Sequence, residues 1–154
     1  MIPLSPEAQL RAFVGKFEAK HQSLIRSTRR WLRTRLPTAH EIVYDNYNFF
    51  VIGYSPTERT SDAVLSIAAS AKGVGLCFTH GKGLPDPEGL LRGSGNQTRS
   101  IHLDGESTLS QRAVVRLIDE AITRSRAPFG RSGKGRLVIR SISARQRPRR
   151  RAPE

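Results

Sequence analysis

The chain has 154 residues, of which 37% are hydrophobic, and this suits a single domain with one core. It lacks a secretory signal pattern, and no apolar run approaches the roughly 20 residues of a membrane span. Its single cysteine, Cys77, excludes an internal disulfide. We therefore expect a cytoplasmic protein without membrane contact. The net charge of +13 resides in the two ends of the chain. Residues 1–35 carry eight basic and two acidic groups, and residues 124–154 carry eleven basic groups and one acidic group. Residues 36–123 carry seven basic and ten acidic groups.

The first predicted element is helical. Ser5-Pro6-Glu7 combines a capping hydroxyl, a proline at the first helical position and an acid in the first turn. Apolar residues then recur at helical spacing as far as Leu32, and Pro37 ends the pattern. The spacing allows either one long helix or two helices with a break near Lys20-His21.

Five strand-like segments rich in β-branched and aromatic residues follow. They are residues 41–44, 49–54, 64–70, 74–79 and 99–103, with a hairpin turn predicted at Lys72-Gly73. Thr108 and Gln111 form a capping box that predicts a C-terminal helix. Because nothing in this order requires parallel crossovers, we predict an α+β fold with an antiparallel sheet of about five strands packed against N-terminal and C-terminal helices.

The composition changes at Ala127 to glycine, proline and arginine. We therefore divide the chain into a domain, residues 1–126, and a basic, partly disordered C-terminal tail, residues 127–154. Within the tail, Leu137-Val138-Ile139 has the composition of a short extra strand. The segment from Arg145 to Glu154 is predicted to be unstructured.

Four segments in order carry a family resemblance. They are Leu36-Pro37 leading to Glu41-Ile42-Val43-Tyr44, then Val51-Ile52-Gly53-Tyr54, Gly81-Lys82-Gly83-Leu84-Pro85-Asp86 and Leu90-Leu91-Arg92-Gly93-Ser94-Gly95-Asn96. In these segments the chain resembles the YdhG-like domains, the bacterial domain-of-unknown-function family 1801. The resemblance implies a small α+β fold with helices on one antiparallel sheet, loosely similar to frataxin in layout. It implies no particular activity, because the family has none that is generally established.

Two polar, turn-forming clusters are the candidate ligand-binding residues. The first consists of Tyr44, Asp45, Asn46, Tyr47 and Asn48, and the second of Gly93, Ser94, Gly95, Asn96 and Arg99. The first offers an acid, two amides and two phenols, and the second offers backbone N–H groups and a guanidinium for an anion. A groove between the clusters would bind a small polar ligand. The alternative is that both are ordinary turns, built from Asx side chains and from glycines.

No pattern indicates catalysis, a metal site or a cofactor. Cys77 and His80 would lie on opposite faces of a regular strand, and the sequence has no nucleophile elbow and no triad order. Cys77 is better interpreted as a small buried side chain. The sequence therefore favours a non-enzymatic domain that binds a small ligand or a protein partner. A small-molecule enzyme and an iron carrier are less favoured alternatives.

The arginine-rich tail gives a second hypothesis, nonspecific association with nucleic acid. Its candidate residues are Arg145, Arg147, Arg149, Arg150 and Arg151, which are dense enough to bind phosphates by counterion release. Arginines on one face of the N-terminal helix, at positions 26, 29, 30 and 33, would extend that surface. This arginine run contains no aromatic residue for stacking on single strands. A purely solubilising tail is the alternative.

Overall fold

The structure is a computed structural model and describes residues 3–153, so Met1, Ile2 and Glu154 lie outside the described residues. Its helices are α1 (Pro6–Gly15), α2 (Ala19–Arg35) and α3 (Arg112–Thr123), and its strands are β1 (His40–Asp45), β2 (Phe50–Ser55), β3 (Leu65–Ser70), β4 (Gly73–Phe78), β5 (Arg99–Leu103) and β6 (Leu137–Ile142). The strands form one sheet in the order β5-β4-β3-β2-β1-β6. The predicted α+β class is confirmed, but the described sheet has six strands.

One face of the sheet carries the core. Alternate residues of each strand point to this inner face, and they form one apolar cluster with buried residues of all three helices. Ile67 and Leu76, which are paired across β3 and β4, are completely buried in this cluster. Their neighbours Ser66 and Cys77 are paired on the outer face and are half-buried. The helices therefore cover the inner face. No helix in the described part of the chain has both the length and the apolar composition needed to cross a membrane.

The N-terminal helical stretch is broken into two helices at residues 16–18, earlier than the predicted break near Lys20-His21. Gly15 ends α1, and the side-chain amide of Gln22 donates to the carbonyl oxygens of Gly15 and Phe17 at 3.3 and 2.8 Å. These bonds satisfy carbonyl groups that the end of a helix leaves open. The break is therefore stabilised by its own local hydrogen bonds.

The start of α3 differs from the prediction. Residues 106–110 form a short 3-10 helix, and α3 begins after it at Arg112. Gln111 occupies the N-cap position without a side-chain capping bond, and Thr108 is buried. The predicted capping box of Thr108 and Gln111 is therefore wrong, because a 3-10 turn precedes α3 and moves its N-cap three residues beyond Thr108.

Strand β6 adds a parallel neighbour to β1, whereas all other neighbouring strands are antiparallel. The connection from α3 returns along the start of β1, where the Thr38 hydroxyl donates to the Gly130 carbonyl oxygen at 2.7 Å. Gly135 lies so close to the Ala39 carbonyl that any Cβ at this position would overlap it. The short strand predicted at residues 137–139 is present as β6, which continues to Ile142.

After β6 the chain stays on the domain. The Ser143 N–H donates to the Asp45 carbonyl oxygen and the Arg147 N–H donates to the Tyr47 carbonyl oxygen, both at 2.9 Å. Arg149 is only 4% exposed. The prediction of an unstructured segment from Arg145 needs correction for residues 145–153. This segment forms no helix or strand, but it is held against the β1–β2 turn by a buried guanidinium.

Candidate functional site

The structure separates the two predicted polar clusters. Residues 44–48 close the β1–β2 turn, at the end of the sheet where β5 finishes with Leu103. Arg99, in the second cluster, pairs with Phe78 at the opposite end of the sheet. Its strand β5 is also four strand positions away from β1. Four strand spacings amount to about 19 Å, even before the length of the strands is added. The expected groove between the two clusters is therefore wrong.

The second cluster forms a loop that closes on itself. The Arg99 guanidinium donates through Nη1 to the carbonyl oxygens of Gly95 and Thr98, at 2.7 and 2.8 Å. Gly93 has a φ of +123°, a conformation that favours glycine. Ser94 and Asn96 are exposed and make no side-chain hydrogen bond within the described residues. This geometry supports the ordinary-turn interpretation, because the charge of Arg99 is directed to its own loop.

In the first cluster, Asp45 is fully buried and anchors the C-terminal segment. Its carboxylate accepts from Lys16 Nζ at 2.8 Å and from Arg149 Nη2 at 2.9 Å, and its carbonyl oxygen accepts from Gln146 Nε2 at 2.8 Å. Burial alone would raise the pKa of Asp45, but hydrogen bonds from residues including Lys16 and Arg149 outweigh it and hold the pKa below its ordinary value. Asp45 is therefore already occupied by the chain's own cations.

Two further members of the cluster also hold the C-terminal region. Asn46 Oδ1 accepts from the Ser141 hydroxyl at 2.7 Å, and the Asn46 carbonyl oxygen accepts from Arg149 Nη2 at 2.6 Å. Tyr44 is half-buried and is paired with Ser141 across β1 and β6. Residues 44–46 thus have an internal partner, and an external ligand is left with Tyr47 and Asn48, which are exposed.

Exposed rings and cations surround this anchor. The Arg147 guanidinium lies 5.5 Å from the centre of the Tyr47 ring, and its Nε donates to Asn48 Oδ1 at 2.9 Å. Tyr47 and Phe49 are each 49% exposed. An open groove of about 850 Å³ lies beside them. We define the arginine–aromatic surface as Tyr47 together with the groove residues Phe49, Lys72, Arg147, Arg150 and Arg151.

The charged residues of the arginine–aromatic surface are all basic. The described residues that line its groove include no aspartate or glutamate. Arg150 is fixed across the end of α1, where its Nε donates to the Lys16 carbonyl oxygen at 3.1 Å. Of the five predicted nucleic-acid contacts, Arg147, Arg150 and Arg151 therefore lie on this surface. Arg149 is buried, and Arg145 is exposed but does not line the groove.

Sequence reasoning missed Phe49 and Lys72, although both left a signal. Phe50, Ile52 and Tyr54 alternate along β2 as inward-facing residues, so Phe49 before them had to face outward. Lys72 is in the predicted hairpin turn, and that turn lies at the same end of the sheet as residues 44–48.

The arginines of α2 do not extend the arginine–aromatic surface. Arg29 donates to both carboxylate oxygens of Glu41 at 2.9 Å and also pairs with Glu7 at 2.8 Å. Glu41 lies in the first half of β1, and Asp45 ends that strand. Burial disfavours the charged guanidinium, but the hydrogen bonds that it donates to these two carboxylates outweigh burial and raise the pKa of Arg29. All four predicted arginines of α2, at positions 26, 29, 30 and 33, line a separate groove beside the start of β1, so the predicted extension is wrong.

Tyr54 adds a pH-dependent part to this network. It is fully buried and its hydroxyl donates to Glu41 Oε2 at 2.8 Å. Burial first, and then the Glu41 carboxylate, raise the pKa of Tyr54 well above its ordinary value. Since an unfolded tyrosine ionises near about pH 10, the stabilisation is complete below that pH and is lost as the pH rises further, by up to about 1.4 kcal/mol per pH unit.

We therefore expect Tyr54→Phe to lower the free energy of unfolding by about 1 kcal/mol near neutral pH, through loss of the hydrogen bond. The gap to the wild type should narrow above about pH 10, because phenylalanine has no proton to lose in the unfolded state. Urea unfolding at about pH 8 and about pH 11 measures both values. A gap that is equal at the two pH values would contradict the buried phenol.

Cys77 has no features of a nucleophile. It lies on the outer face of β4, and burial raises the pKa of its thiol, which disfavours the reactive thiolate. His80 Nδ1 contacts the Gln97 side chain. In residues 3–153, no group of three or more histidine, cysteine, aspartate or glutamate side chains is arranged to hold a metal ion.

Comparison of the chain with family models, with curated proteins and with solved structures gives no match. The resemblance to the YdhG-like domains and the frataxin-like layout therefore stay predictions. What the chain does is inferred below from the arginine–aromatic surface itself.

Proposed function

We propose that this protein is a non-enzymatic, cytoplasmic domain that binds single-stranded nucleic acid on its arginine–aromatic surface. The observation that carries the proposal is the position of Arg147, Arg150 and Arg151 beside the exposed rings of Tyr47 and Phe49. Guanidinium groups bind backbone phosphates, and aromatic rings stack on unpaired bases. The arginine run has no aromatic residue of its own, and the β1–β2 turn supplies the rings that a single strand requires.

The order of the C-terminal segment favours this function. A flexible arginine tail would lose conformational entropy whenever it gripped a strand. Here the buried contact between Arg149 and Asp45 has already fixed the segment, and Arg150 is fixed on the end of α1. The neighbouring cations are therefore arranged before any ligand arrives, which lowers the entropic cost of binding.

The same surface favours single strands over duplexes and gives little sequence preference. It consists of two turns and an irregular segment, so no helix projects from it to enter a major groove. The Asn48 side-chain oxygen already accepts a hydrogen bond from Arg147, which makes it less available to a base edge. Stacking and phosphate contacts remain, and both tolerate any sequence.

The proposal predicts a large effect of one ring. We expect Phe49→Ala to weaken binding to a single-stranded oligonucleotide by about 5- to 150-fold, because stacking contributes about 1–3 kcal/mol per base. Fluorescence anisotropy with labelled oligothymidylate and oligouridylate of about 12 nucleotides, and with a duplex of equal length, measures this loss.

Leu4→Ala is the matched control, since Leu4 is an exposed apolar residue, at 63%, that does not line the groove. It should bind like the wild type. Equal affinity for duplex and single strands, together with no effect of Phe49→Ala, would exclude stacking on the rings. Binding would then be purely electrostatic. If the protein bound no oligonucleotide at moderate salt, the proposal would be wrong.

A further inference from the structure

A second cleft, of about 360 Å³, adjoins the arginine–aromatic surface and shares Lys72 and Arg151 with it. It lies between the first turns of α2, the β3–β4 turn and the segment after β5. Besides the two shared cations, Lys20, His21 and His102 line it. Five basic or imidazole side chains from four separate parts of the chain thus meet in one small space.

The cleft contains the start of a long helix. α2 has 17 residues, and Glu18 at its N-cap makes no side-chain capping bond. The first N–H groups of the helix therefore lack a side-chain acceptor, and the positive end of the helix dipole lies there. This arrangement attracts an anion, although a helix start alone does not define a site.

His21 is the second, independent feature. It is only 7% exposed and lines the cleft, yet its Nδ1 has no hydrogen-bond partner among residues 3–153. The Glu18 carboxylate oxygen lies 3.7 Å from this nitrogen, beyond hydrogen-bond range. A buried polar nitrogen without a partner is costly unless a ligand completes it. With a proton on Nδ1 the ring would donate to an anionic oxygen, and the neighbouring cations favour such a ligand.

Two carboxylates, those of Asp104 and Glu106, also line the cleft. The Asp104 side chain is 89% exposed and lies 3.7 Å from His102 Nε2, and Glu106 is exposed. Lys20, Lys72 and Arg151 carry three positive charges against these two carboxylates. The cleft therefore still favours an anionic ligand.

We propose that this cleft binds a phosphomonoester, either the terminal phosphate of a strand lying on the arginine–aromatic surface or the phosphate of a free nucleotide. The strand-end form rests on the proposed function, because Lys72 and Arg151 connect the two sites. A terminal phosphate carries about −1.5 to −2 charges at neutral pH and exposes three acceptor oxygens, more than a backbone diester offers.

The test compares oligothymidylates of equal length with a 5′-phosphate, a 3′-phosphate or hydroxyl groups at both ends, and thymidine monophosphate as the free nucleotide. We expect one phosphorylated end to bind about 10-fold tighter than the hydroxyl end, as charge-assisted hydrogen bonds imply. Lys20→Gln, at an exposed position, and His21→Gln should each abolish this preference. Lys82→Gln removes the same charge outside the cleft and should retain it.

The outcomes separate the two proposals. If hydroxyl-ended strands bind and a terminal phosphate adds nothing, the phosphomonoester site is overturned and the strand-binding function stands. If no strand binds but thymidine monophosphate binds in a Lys20-dependent way, the strand-binding function fails and the cleft is a free-nucleotide site. If neither strand nor nucleotide binds, both proposals are overturned.

Discussion

Replacing Arg149 by alanine should lower the free energy of unfolding by about 3–5 kcal/mol, although Arg149 lies in a segment without helix or strand. The Arg149 side chain is 2% exposed and pairs with Asp45, which is 0% exposed. The substitution would leave the buried carboxylate with Lys16 alone, whose side chain is 43% exposed. A buried charge that loses a partner is far more costly than a surface pair that is broken.

Urea unfolding of the variant measures this loss, and Arg151→Ala is the matched control. Arg151 is an exposed neighbour, so its removal should change stability by no more than about 0.5 kcal/mol. The double variant Asp45→Asn with Arg149→Met should lose less stability than the two single variants together, because it leaves no buried charge unpaired. If Arg149→Ala were as stable as Arg151→Ala, the buried pair would not exist in solution.

Neutralising Arg147, Arg150 and Arg151 together, each to glutamine, should weaken single-strand binding about 100-fold at about 0.1 M salt. Each phosphate contact on a single strand adds about 0.7 to the slope of log affinity against log salt, so three lost contacts remove about 2 from that slope. Arg149 is retained, so the C-terminal segment keeps its anchor on Asp45. Anisotropy titrations over a series of salt concentrations give both the affinity and the slope.

The control variant for net charge is Arg112→Gln with Arg116→Gln and Arg126→Gln. These arginines are exposed and do not line the groove, and their removal changes the charge by the same amount. The control should lose much less affinity than the first triple variant. Equal losses would show that only the overall charge of the protein matters. Truncation at residue 131 is a poor alternative, because it also removes β6 and Arg149.

The strands of the antiparallel part of the sheet could be predicted because their signals are local. Alternating apolar residues in β3 and β4 flank a short turn, and the structure pairs Ile67 with Leu76 accordingly. The parallel pairing of β6 with β1 could not be predicted in this way. Val43 and Ile139 are neighbours in the sheet but far apart in the sequence, and no turn connects their strands.

The candidate site was predicted only in part, for a similar reason. Tyr44 to Asn48 were identified as a polar cluster, but Arg149, the buried partner of Asp45, lies 104 residues away. One local signal was available: Val43 faces the core, so Asp45, two residues further along β1, had to face it too. A carboxylate at an inward position needs a buried cation. Composition alone could not show which arginine of the tail supplies it.

The pairing of β1 with β6 has a consequence for how the protein folds. β1 is among the first elements in the sequence, yet its parallel neighbour and the guanidinium that Asp45 requires come after residue 136. Until that segment docks, β1 has no neighbour on one side and the carboxylate of Asp45 has no guanidinium partner, and after docking β6 is the edge strand of the sheet. We expect this closure to be a late step of folding, since long-range contacts form slowly. Chains that lack the segment would leave the buried carboxylate of Asp45 without its guanidinium, which links the stability of the domain to the same segment that carries the binding arginines.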